Sequence, residues 1–154
     1  MTRVRNRAAM MKTLREHIVA ESTHDMDAVL AGMTSTCFND IACIPRPFVG
    51  PREVARRYRE HWAGFPDFTV RMRKILAVTD RCIVTENEWR GTHRGPFLGF
   101  PPTGRKVRVR TAVVWHFRGG KIQGESVFFD LGTVLKQIGA TVSVPRRRAR
   151  SRRR

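Results

Sequence analysis

The stretch Val107-Arg-Val-Arg-Thr-Ala-Val-Val-Trp-His-Phe117, followed by Gly119-Gly120 and then by Ile122-Gln-Gly-Glu-Ser-Val-Phe-Phe-Asp130, decides the fold. Val107, Val109, Thr111, Val113, Trp115 and Phe117 recur at every second position. That is the period of a strand with one buried face. A Gly-Gly pair between two such runs predicts a tight hairpin, because its central residues need positive φ. The segment 122–130 is therefore an antiparallel partner. Upstream, Phe68, Val70 and Met72 alternate with Thr69, Arg71 and Arg73, and 82–90 reads as a further strand. The C-terminal half is an antiparallel meander.

Working outward, the N-terminal half changes period. Met11, Leu14 and Ile18 recur at three- and four-residue steps, with Ala8 and Val19 widening the stripe, which predicts a helix. Asp25 is placed to cap a short second helix carrying Met26, Val29, Leu30 and Met33. Residues 35–44 read as a strand pair or a bent strand, ended by Pro45 and Pro47. Gly50-Pro51 opens a third helix with Glu53 in its first turn, and Val54, Tyr58 and Trp62 step by four along its buried face. Gly64-Phe65-Pro66-Asp67 stops it. Residues 132–138 form a closing helical turn that Gly139 ends. Helices followed by a meander give an α+β domain. Three helices against a curved sheet leave a cone open at one end, a shape that accommodates a pocket.

The chain has 154 residues, 41% hydrophobic and 28% charged, which suits one globular domain. Its net charge of +17 is concentrated at the ends: 145–154 holds seven Arg and no acid, and 13–144 carries only +6. We expect a single domain over 1–144 and a basic, solvated tail over 145–154, whose arginines at 146–154 suit non-specific polyanion contact. Cys37, Cys43 and Cys82 form no CxxC pair, and the five His form no HxH or HxxxH pattern, so no metal or disulfide framework is expected. No window is apolar enough for a membrane span or a leader h-region, which makes the cytoplasm the expected compartment.

Within this frame, Gly91-Thr-His-Arg-Gly-Pro-Phe-Leu-Gly-Phe-Pro-Pro-Thr-Gly-Arg105 resembles the GxHxGxxxGxPPT stretch of SnoaL-like polyketide (ester) cyclases. Gly120-Lys121-Ile122, Asp130-Leu-Gly-Thr-Val-Leu-Lys-Gln-Ile-Gly139 and Gly64-Phe65-Pro66-Asp67-Phe68 are similar to further stretches of that family. The motifs fall in order over roughly residues 8–140. The resemblance implies a nuclear-transport-factor-2-like fold, a cone (cystatin-like barrel) of curved antiparallel sheet packed on N-terminal helices. It also implies a cofactor-independent acid/base enzyme closing a ring by intramolecular aldol reaction, or isomerising or dehydrating a small hydrophobic carbonyl compound. That superfamily also holds non-catalytic members, so a ligand-binding module of the same fold is the alternative. Homodimers built through the outer sheet face are expected.

Asp130 matches the position of the family's acid/base Asp, and period-two parity with Ile122, Ser126 and Phe128 points it at an apolar pocket, where burial would raise its pKa. Capping the helix that begins near Gly132 is the other role open to it. His93, between two glycines, is placed at the mouth of the cone as a proton relay or as a loop-ordering group. Tyr58, Trp62, Trp89, Trp115, Phe117, Phe128 and Asn39 are the candidate ligand-contacting residues, with core filling or turn formation as the simpler use of each. Aligned on the Gly-Lys-Ile hairpin, Val113 stands where the resemblance places an inward His, and His116 has outward parity. Glu86 and Glu88 share a face with Cys82 and Val84 and are open to lining the cavity, with pairing across the sheet to Arg71, Arg73, Arg108 or Arg110 as the simpler use.

Overall fold

In the computed structural model, which describes residues 3–141, the chain runs α1 (Arg3–Thr23), α2 (Met26–Ala31), β1 (Met33–Ile41), β2 (Phe48–Val49), α3 (Pro51–Gly64), β3 (Thr69–Val78), β4 (Cys82–Thr92), β5 (Lys106–Arg118), β6 (Lys121–Phe129) and α4 (Leu131–Ile138). The basic tail at 145–154 lies outside the described residues. The six strands form one curved sheet in the order β2-β1-β6-β5-β4-β3, and the result is the expected α+β fold.

Each element forms for a local reason. Met10, Leu14 and Ile18 bury one stripe of α1, whereas Val19 is 61% exposed, so the stripe turns toward Met10 and not, as expected, toward Val19. Asp25 caps α2 by accepting from Ala28 N–H, and Pro51 occupies the first turn of α3. In β5 all six alternating positions from Val107 to Phe117 are buried. Gly119 and Gly120 take φ of 60° and 79°, which the hairpin requires and only glycine adopts cheaply.

Two features correct the sequence reading. The sheet is mixed: β1 pairs with β6 in parallel, although every other pairing is antiparallel. The connection from β1 through β2 and α3 into the meander leaves β1 alongside the last strand and running in the same direction. The second correction is a bulge. His116 faces Gly124 but Phe117 faces Ile122, so Gln123 is an extra residue in β6. Its side chain fills the gap in the ladder by donating to the Thr36 carbonyl at 2.8 Å and accepting from Thr34 Oγ1 at 3.1 Å. A bulge shifts side-chain parity by one. Beyond it the inward set of β6 is Glu125, Val127 and Phe129, whereas unbroken alternation from Ile122 would give Ser126, Phe128 and Asp130.

On the outer sheet face, Glu88 lies among Arg71, Arg73, Arg90 and Arg108 at 2.8–3.1 Å, and Glu86 between Arg73 and Arg110. The expected cross-sheet pairs form. Hydrogen bonding from Arg108 is the main reason that the Glu88 carboxyl is held down at about 2.

Candidate active site

The helices and the inner sheet face enclose a cavity of about 320 Å³, the size of a small-ligand pocket. Pro96, Leu98 and Gly99, exposed lining residues of one loop, mark the opening, and buried ones, among them Thr111, Trp115 and Glu125, form the floor. The GxHxGxxxGxPPT-like segment builds that opening. Gly95 lies so close to the end of α3 that a Cβ there would collide with the Ala63 carbonyl oxygen. Arg94 and Gly95 both donate their N–H to the Gly64 carbonyl, at 2.9 and 3.1 Å. Phe97 and Phe100 then pair across a turn, holding Leu98 over the cavity.

Glu125 reaches the floor because of the β6 bulge. It is 3% exposed and lies between its direct strand neighbours Asn39 and Trp115. Its Oε2 accepts from Asn39 Nδ2 at 2.9 Å. Its Oε1 accepts from Tyr58 Oη at 2.7 Å and lies 3.2 Å from His17 Nε2. Glu21, one helical turn beyond His17, places its Oε1 at 3.0 Å from Tyr58 Oη and 3.2 Å from His17 Nε2.

Electrostatics polarise this cluster. Burial by itself would push the His17 ring down, but hydrogen bonds and charge from Glu125 and Glu21 outweigh it and push the imidazole up to about 10. Burial works against the Glu125 charge too, yet His17, first by its hydrogen bond and then by its charge, holds that carboxyl below the ordinary glutamate value. Both shifts favour imidazolium and carboxylate in the pair, although His17 Nδ1 is buried without a hydrogen-bond partner among the described residues. Burial, and next the charges of Glu125 and Glu21, keep the Tyr58 phenol protonated far into the alkaline range. His17, Glu21 and Glu125 form the one cluster of metal-ligand type among the described residues, with donor atoms within 4.8 Å of one another. Spacing in the sequence does not disclose it. Here those atoms are spent on one another through the His17 Nε2 hydrogen.

Higher on the wall, Asn87 and Thr111 are direct cross-strand partners. Asn87 Oδ1 is buried without a hydrogen-bond partner among the described residues. His61 stands edge-on to Phe68 and Trp89, with ring centroids 4.8 and 5.2 Å away. Burial, with the Arg57 and His24 charges adding to it, depresses its pKa far below the ordinary value and leaves it neutral.

The expected site residues separate into four places. Trp89 and Trp115 line the cavity, as does Val113. Tyr58 and Asn39 stand behind the floor and hold Glu125. Trp62 lies off the wall, stacked on His24 with centroids 4.7 Å apart, and Phe117 is buried in the core next to Ile122. Phe128 is 49% exposed on the outer face, a correction that the bulge explains.

Asp130 and His93 are corrected as well. Asp130 is exposed and outside the cavity. It caps α4, with Oδ1 accepting from Gly132 N–H at 2.9 Å and Oδ2 from Thr133 Oγ1 at 2.6 Å, and those bonds lower its pKa where an apolar pocket would have raised it. His93 is fully buried behind the opening loop. Its Nδ1 lies 3.1 Å from Thr103 Oγ1, its backbone exchanges hydrogen bonds with Gly104 and Arg105, and burial pushes its pKa down. The residues that sequence reasoning missed are His17, Glu21, Glu125, His61 and Asn87. A signal for Glu125 was present in Gly124, since a glycine inside a strand pattern marks a bulge.

The family model for SnoaL-like polyketide cyclases matches residues 8–138. Among solved structures, a protein of Jannaschia sp. CCS1 assigned to the SnoaL-like polyketide cyclases is 22% identical, with TM-score 0.80 over 88% of this chain and 95% of that one. A nuclear-transport-factor-2-like protein of Burkholderia pseudomallei is 20% identical, with TM-score 0.72 over 86% of this chain and 98% of the other. A Catenulispora acidiphila protein of ketosteroid-isomerase-like fold is 16% identical, with TM-score 0.72 over 84% and 93%. At these identities the likeness concerns the fold. No curated protein matches the chain.

Proposed function

The chain belongs to the SnoaL-like polyketide cyclase family, and from that premise we propose that it is a cofactor-independent acid/base catalyst acting on a small hydrophobic carbonyl compound. Glu125 is the proton-transferring group in this reading. One observation carries it: a buried carboxylate on the floor of a largely apolar cavity, held as an anion by His17, Tyr58 and Asn39. A carboxylate offers about four lone-pair directions. Three of them are met, and the fourth is available to a substrate proton.

Glu125 takes a proton from the carbon alpha to a carbonyl. The enolate that forms attacks a second carbonyl of the same molecule, making one carbon–carbon bond and an alkoxide that recovers the proton. A carboxyl group held below its usual pKa is a weak base, so the matching carbon acid is one already activated by two carbonyl groups. Asn87 and Thr111 bring an amide and a hydroxyl to the wall, where they suit the developing oxyanion. Returning the proton elsewhere would give isomerisation, and loss of water would give dehydration.

Glu125→Gln keeps the shape and removes the charge. Turnover of a 1,3-dicarbonyl polyketide mimic should fall about 10³-fold, with binding retained; undiminished turnover would overturn the assignment. The second reading, a non-catalytic binding module, is favoured by Val113 on the wall at the position where the resemblance places a His. Saturable binding of a panel of such compounds with no conversion would establish it.

We place with this reading a homodimer through the outer sheet face, where Ala112 and Phe128 are exposed beside the arginine cluster, to be checked by light scattering. Salt-sensitive polyanion contact through 146–154 and a cytoplasmic location belong to the same proposal. No helix among the described residues is long and apolar enough to cross a membrane.

A further inference from the structure

Every acid around the cavity is already engaged, and one cation is not. Glu60 is taken by Arg56 at 2.7 Å, and Arg56 also holds Glu53 at 2.7 Å. Glu125 and Glu21 are held by the His17–Tyr58 cluster. Arg57, the neighbour of Arg56 on α3, lines the cavity and is half-buried, yet its guanidinium makes no ion pair or hydrogen bond with any described residue. Its one ring contact is with Tyr58, with Cζ 4.8 Å from the centroid, and its charge also acts on Glu125 and His61. That stacking orients the planar group and leaves its N–H edge unspent.

A guanidinium carries five donors in a rigid fork that matches a carboxylate two-by-two. A cation partly withdrawn from water gains from a directly bonded counter-charge. Glu125 acts on Arg57 only through space, so the guanidinium fork gains most from an anion delivered by the ligand. The remaining wall supplies apolar and aromatic surface from Trp89, Phe97, Phe129 and Val113. The occupant this combination fits is amphiphilic, with a flat apolar body and one acidic group.

We propose that Arg57 is an anion-recognition residue and that the natural ligand is an aromatic or polyketide-derived carboxylic acid, whose carboxylate pairs with the Arg57 guanidinium while its apolar body fills the cavity. This rests on the functional reading above for the identity of the site, but requires no chemistry from Glu125. An acid at Arg57 leaves the body of the molecule to reach the Glu125 floor. The carboxylate thereby fixes which carbon is presented there.

The test is binding without turnover, read by tryptophan fluorescence, since Trp89 and Trp115 line the cavity. The probes are anthracene carboxylate and the matching anthracene carboxamide, equal in shape and different in charge. Wild-type protein should bind the acid about 10-fold more tightly than the amide, the difference that one charge-assisted pair provides. Arg57→Gln should bring that ratio below about 2-fold, and Arg57→Lys, which keeps the charge and loses the fork, should leave an intermediate ratio. Equal affinity for the two probes in the wild type, no saturable binding of the acid, or a preference that survives in Arg57→Gln would each overturn the proposal. Glu125→Gln should retain the preference for the acid. Loss of turnover in that variant and loss of acid preference in Arg57→Gln therefore report on separate claims.

Discussion

Replacing His17 by Gln should remove a large part of the alkaline pH dependence of stability. In the folded protein the ring is pushed up from 6.5 to about 10: burial opposes this, but Glu125 and Glu21 outweigh it. A group whose folded pKa is raised contributes stability that is fully present below its unfolded value and is lost as pH rises through the folded one. The window is therefore 6.5 to about 10. Inside it the native state holds one proton more than the unfolded chain, so stability falls by about 1.36 kcal/mol per pH unit. Between about pH 7 and about pH 9 the wild type should lose about 2–3 kcal/mol more than His17→Gln. Thiols and lysines that titrate nearby are common to both proteins and cancel in the difference. Urea unfolding at five pH values across that range measures it, with ΔG taken from midpoint and slope. Parallel curves for the two proteins would refute the reasoning: the folded ring would then be neutral, and the Glu125 charge would have to be held by other means.

Asp130→Ala removes an exposed helix cap and should cost about 1 kcal/mol of stability by thermal melting, with turnover kept; a large loss of turnover would return Asp130 to the active site. Gly95→Ala forces a methyl group into the Ala63 carbonyl, where backbone on both sides leaves no room to yield, so destabilisation of about 1–3 kcal/mol is expected in chemical unfolding. Glu88→Gln should flatten the acid limb of the stability profile: the carboxyl held at about 2 contributes stability above about 4.5 that disappears as pH falls toward 2. The same variant leaves its surrounding arginines uncompensated, and its melting temperature should therefore rise with added salt.

The fold was legible because its signals are local. The alternation in β5, the Gly119–Gly120 turn, Pro51 at the start of α3 and Asp25 ahead of α2 each act over a few residues, and each formed as read. The parallel pairing of β1 with β6 was not legible, because it depends on how the connection through α3 and the meander returns the chain rather than on either strand's pattern. The candidate site was legible only in part. Trp89, Trp115 and Val113 lie on unbroken strands, so parity placed them correctly. Asp130 and Phe128 lie beyond Gln123, where parity had already shifted. The His17–Glu21–Glu125–Tyr58 cluster joins α1, α3 and β6 across more than a hundred positions, a proximity that no spacing rule within one element reveals.

The single extra residue at Gln123 also bears on how such a cavity changes its chemistry over time. Point substitutions alter one wall position each. Deleting one residue at the bulge would instead rotate the rest of β6 as a unit, withdrawing Glu125, Val127 and Phe129 and presenting Ser126 and Phe128 in their place. Strand length, in this protein, is a control on reactivity as direct as the identity of any side chain, and insertions or deletions are the variants through which a relative could acquire a different floor.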